Sequence, residues 1–82
     1  MRNMEVCGGY YYNGIEFEIG TVNTFSVLPK GSSMWYRMNN MDVYKSALQM
    51  DKNDTIYNIP AWFILKCFRE FASEEKLDRF LN

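Results

Sequence analysis

Glu16 and Glu18 stand two positions apart in the alternating run Ile15-Glu16-Phe17-Glu18-Ile19. In an extended strand that spacing puts both carboxylates on one side at roughly 7 Å, a separation that can suit general acid–base work. Any solvated strand face shows the same alternation, so the pair reads first as surface. Cys7 would be a nucleophile only if a nearby cation lowered its pKa, and Glu5, Glu16 and Glu18 share its face and act the other way. Lys30-Gly31-Ser32-Ser33 has the residue types of a phosphate cradle, but the first glycine of that motif is missing and no helix follows directly. It reads as a hairpin turn. Asp51-Lys52-Asn53-Asp54 begins like a calcium loop, yet Ile56 stands where the turn glycine belongs and Trp62 where the closing glutamate belongs.

The 82 residues contain no histidine. That removes the commonest general base, the commonest transition-metal ligand and every Ser-His or Cys-His arrangement. The two cysteines, Cys7 and Cys67, lie sixty positions apart without CxxC spacing, so neither a zinc site nor a disulfide is expected. The expectation is a protein without catalytic turnover, cofactor or metal. A carboxylate- or cysteine-based enzyme stands as the less favoured reading.

Binding is what remains. Nine Lys or Arg against ten Asp or Glu give a net charge of −1, too little for strong nonspecific attraction to nucleic acid or an anionic bilayer. The one cluster that interleaves aromatic and basic residues, Trp35-Tyr36-Arg37 with Lys30, supports a small nucleic-acid-binding protein as the alternative, although Trp35 reads more simply as a core ring. Aromatic residues make up 17% of the chain. Rings of roughly 150 to 250 Å² let a short chain build a core, and those the core cannot absorb point to an interface. Tyr11, Glu16, Glu18, Trp35 and Arg37 are accordingly the candidate residues for a larger protein partner, and Trp62 with Leu65 for self-association into a homodimer. Richness in Asn, Tyr, Met, Lys and Ile with only three alanines is typical of AT-rich genomes. It suggests a phage or mobile-element inhibitor or regulator of a host protein, for example a defence nuclease.

These side chains need a frame. At this length the chain is one domain, residues 1 to 82, with a small core, and 48% apolar against 23% charged residues is ordinary globular composition. The longest uninterrupted apolar stretch, Ala61 to Leu65, is far too short to span a membrane, and a cytoplasmic location is expected. Asn13-Gly14 between Tyr10-Tyr11-Tyr12 and Ile15-Glu16-Phe17 is the preferred pair for a type I′ hairpin turn. It sets Tyr12 opposite Ile15, Tyr11 opposite Glu16 and Tyr10 opposite Phe17, with Tyr10, Tyr12, Ile15, Phe17 and Ile19 on the core face. Gly8-Gly9 suggests a bulge.

A second hairpin joins Phe25–Leu28 to Met34–Met38 through Pro29 and Gly31. Beyond Asn39-Asn40 the period becomes helical, with Val43, Tyr44, Ala47 and Leu48 as one stripe and Asn40 as N-cap. Thr55 to Ile59 reads as a short extended segment, and Pro60 opens the longest helix. Ser73-Glu74-Glu75 resembles a fresh N-terminus, which predicts a break there and a separate short helix carrying Leu77, Phe80 and Leu81. The expected fold is therefore α+β: an antiparallel meander of three to four strands over residues 4 to 38, packed against two or three helices at about 41 to 50 and 60 to 81.

Overall fold

The computed structural model describes residues 6–20 and 23–75, and for 6–8 the backbone alone. Four strands, β1 (Val6–Tyr12), β2 (Ile15–Gly20), β3 (Thr24–Leu28) and β4 (Tyr36–Asn39), form one antiparallel sheet in the order of the chain. Helix α1 (Asn40–Gln49) follows, then a two-stranded hairpin of β5 (Thr55–Ile56) and β6 (Ile59–Pro60), then helix α2 (Ala61–Glu75). The α+β class and the meander agree with the expectation, with two helices among the described residues.

Asn13 and Gly14 take φ of 48° and 90°, the left-handed pair a type I′ turn requires. The register is the one the turn dictates: Tyr12 opposite Ile15, Tyr11 opposite Glu16, Tyr10 opposite Phe17. The pairing slips by one residue between Val6 and Gly8, so the irregularity that the double glycine suggested falls at its N-terminal side. From β3 to β4 the chain turns through Pro29–Ser32, where the Ser32 N–H donates to the Pro29 carbonyl at 3.0 Å. Gly31, at φ 80°, supplies the positive angle this turn needs.

Pleating sends alternate residues to opposite faces. Ile15, Phe17 and Ile19 of β2 and Phe25 and Val27 of β3 are buried on the face against which the helices pack. From α1 come Val43, Tyr44 and Ala47, and from α2 come Ile64, Cys67, Phe68, Phe71 and Ala72. Aromatic rings run through this layer: Phe17 stacks on Phe25 at 5.4 Å between centroids, Phe25 on Phe68 at 5.9 Å, and Tyr44 meets Phe68 edge-on at 5.4 Å. Such pairs each add about 0.5–1.5 kcal/mol beyond area burial, which is how a short chain closes a core.

Several local expectations are corrected. Asn39, not Asn40, caps α1, its Oδ1 accepting the Asp42 N–H at 3.1 Å. Asn40 is fully buried instead and donates from Nδ2 to the Gly20 carbonyl at 2.8 Å, while its own N–H donates to the Asn23 carbonyl at 3.1 Å. Leu48 leaves the α1 stripe and is exposed, because it lies at the edge of the arc that faces the sheet. Pro60 belongs to β6, paired with Thr55, and α2 begins one residue later.

The Asp51–Asp54 loop has a structural task. The carbonyls of Asp54 and Lys52 accept the N–H groups of Ala61 and Trp62 at 2.8 and 3.1 Å, satisfying donors that a helix start leaves without partners. Finally, α2 runs through Ser73 to Glu75 without a break. Phe71 and Ala72 are buried just before it, and packing of that turn outweighs the capping preference of one exposed serine. The predicted short helix with Leu77, Phe80 and Leu81 lies outside the described residues.

Candidate functional site

Neither helix lies on the second face of the sheet. Strand pairing arranges its residues in two rows: Tyr11, Glu16 and Leu28 in one, and Gly9, Glu18, Ser26 and Arg37 in the other. Tyr11 keeps 64% of its surface exposed, and Glu16, Gly9 and Arg37 are exposed as well. A shallow depression of about 270 Å³ opens here, lined chiefly by Gly9, Tyr11, Glu16, Glu18 and Trp35. Its floor owes its openness to Gly9. A Cβ built on that residue would meet no atom within 4 Å.

Four of the five residues named for a protein partner thus meet around one concavity. Arg37 shares the face but stands outside the lining, two strands from Glu18 in the same row. Trp35 is the correction: it is half-exposed on this surface rather than a core ring. Tyr36, next to it, turns to the other side, where its ring meets Tyr57 edge-on at 5.7 Å. The run Trp35-Tyr36-Arg37 is therefore split between the two sides of the sheet.

The pair named for self-association behaves unevenly. Trp62 retains 45% exposure, its ring set edge-on against Tyr12 at 6.5 Å and Phe63 at 5.6 Å. Leu65 is half-buried and packed against the core, leaving Trp62 as the accessible member.

Two further depressions were not foreseen. An apolar groove of about 340 Å³ lies between β4, α1 and β5, lined by Met38, Asn39, Asp42, Val43, Ser46 and Ile56. Another, of about 290 Å³, lies at the hairpin tips among Asn13, Ile15, Pro29, Lys30, Tyr57 and Asn58. Both depend on the β5–β6 hairpin, whose turn residues Tyr57 and Asn58 hold φ of 51° and 66°. The signal that could have revealed it is the two-residue spacing between Ile56 and Ile59, with asparagine as a residue that tolerates the left-handed region.

Two groups on the inner side, Cys67 and Tyr10, titrate above their ordinary values. Burial pushes the Cys67 thiol up to about 12, Glu70 adding to the rise and Lys66 opposing it. Such a thiol stays protonated at neutral pH and is a packing group. Tyr10 is raised as well, first by burial and then by Cys67, Glu74 and Glu70. Among the described residues no cluster of three or more His, Cys, Asp or Glu could hold a metal ion, and no helix is long and apolar enough to cross a membrane. No family model, curated protein or solved structure matches the chain.

Proposed function

We propose that this protein is a non-enzymatic binding module that docks the outer face of its sheet on a larger protein. The observation that carries this reading is the convergence of Tyr11, Trp35, Glu16 and Glu18 on one depression, on a face that the helices leave to solvent. Aromatic anchors within a charged rim are the makeup of a protein-binding centre. Tyr11 sits two residues from a type I′ turn on a paired strand, so its backbone loses little entropy on docking. The composition favours an inhibitor or regulator of a host protein, of the kind phages and mobile elements encode.

Nucleic-acid binding is the second reading, now narrower. Only Trp35 and Arg37 share the outer face, and two carboxylates stand beside the tryptophan, which repel phosphate. The test is capture of partners by tagged protein across a salt series, with and without nuclease. Capture that survives nuclease and weakens little with salt, but is lost in Tyr11→Ala and in Glu16→Lys, supports the protein interface. Steep loss with salt, together with loss in Trp35→Ala or Arg37→Ala, supports nucleic acid.

A further inference from the structure

The lining of the outer depression specifies the chemistry of its occupant. Two aromatic side chains, Tyr11 and Trp35, and two carboxylates, Glu16 and Glu18, surround a floor where Gly9 contributes no side chain. An anion would be repelled by the carboxylates. A purely apolar group would strip water from them without returning a hydrogen bond. A cation on an alkyl stem satisfies both halves at once, because its charge is attracted to a ring face and to a carboxylate while its stem lies on apolar surface. Arg37 stands outside the lining. The stem of Lys30 lies over Gly14 at the turn, its Cδ 2.9 Å from where a Cβ would be.

Resting on the protein-binding role of the same face, we infer that the depression receives an arginine or lysine side chain of the partner, between Tyr11 and Trp35 with its charge against Glu16. The exposed Glu16 is the nearer carboxylate to Tyr11, directly opposite it in the strand pairing. A guanidinium suits the site best, being planar, weakly hydrated and able to stack on a ring while forking onto a carboxylate.

The experiment titrates ¹⁵N-labelled protein with three peptides, acetyl-Gly-Xaa-Gly-amide, in which Xaa is arginine, lysine or citrulline, the last a neutral isostere of arginine. The expected result is saturable shifts confined to Gly9, Tyr11, Glu16 and the Trp35 indole N–H, with citrulline binding about tenfold more weakly, the sum of one exposed cation–π contact and one surface ion pair. Glu16→Gln should weaken the arginine peptide about threefold to fivefold. Gly9→Val puts a side chain on the floor at a position where a Cβ meets no atom within 4 Å and the backbone lies outside the left-handed region; it should abolish the shifts while keeping the dispersion of a folded spectrum. Citrulline binding as tightly as arginine, or shifts centred away from these residues, overturns the inference. Partner capture that is lost in Tyr11→Ala but unchanged in Glu16→Gln also overturns it while leaving the protein-binding reading standing. Capture unaffected by Tyr11→Ala removes that reading itself.

Discussion

The two faces of the sheet are written by the same residues and made into different surfaces. Tyr10, Tyr11 and Tyr12 are consecutive and identical, yet Tyr10 and Tyr12 reach Phe17 and Phe63 at 5.5 and 5.0 Å, while Tyr11 stands in solvent beside Glu16 and Glu18. Opposite them, Phe17 has no exposure and its neighbour Glu16 is exposed. Residue type does not separate the two roles; parity along the strand does. Inner aromatics are held by neighbours on three elements and belong to stability. The outer ones, Tyr11 at 64% exposure and Trp35 half-exposed, are left in part to solvent.

The sharpest way to break this comparison is to cut one ring from each face. Phe17→Ala should cost about 3–5 kcal/mol, enough to unfold most of a domain of this size, as read by urea denaturation and by loss of near-ultraviolet circular dichroism. Tyr11→Ala should change stability by no more than about 0.5 kcal/mol and weaken partner binding by about 2 kcal/mol, roughly thirtyfold, as read by melting temperature and titration calorimetry side by side. If the two substitutions cost the same stability, the division between the faces is wrong.

Alkali should act through the inner face. Cys67, with an ordinary pKa of 9.0, is raised to about 12, and Tyr10 is raised from 10.0. Above pH 9 the unfolded chain therefore releases protons that the folded chain retains, so stability falls as pH climbs from about 9 toward 12. Thermal melts across that range should show the decline, and Cys67→Ala should flatten it. The smallest effect belongs to Trp62, in the first turn of α2. Trp62→Ala should shift sedimentation toward monomer if the ring packs on a second copy, while changing the melting temperature by only a few degrees.

How much of this was readable beforehand depended on whether local chemistry and tertiary packing agreed. At Asn13-Gly14 both central residues favour positive φ, so turn, register and facing all followed from the sequence. At Tyr57-Asn58 the same turn is built on a residue type that resists it; Ile59 and Pro60, fully buried or nearly so, hold it in place, and no local rule reports that. Asn39 and Asn40 are chemically interchangeable as caps, and the Gly20 and Asn23 carbonyls, distant in sequence, hold Asn40 as the one that turns inward. Ser73 carried a valid capping signal that Phe71 and Ala72 overrode. For the site, Tyr11, Glu16 and Glu18 were legible from alternation alone. Trp35 was named with them from its residue type and not from its facing, because it precedes β4 in an irregular connection where alternation gives no side and its size equally suggested a core ring.

The meander order of the sheet also has a consequence in time. Each strand pairs with the next one in sequence, so every closure is short and the sheet can assemble quickly, before distant parts of the chain take part. The residues that cover Phe17 and Phe25 arrive last, on α2. A sheet formed before α2 docks would turn Phe17, Phe25 and Val27 toward water, a species prone to associate with copies of itself. Pulsed amide exchange during refolding should find β2 and β3 protected before Phe68 and Phe71, and raising protein concentration in that interval should divert chains into aggregates that the finished fold does not form.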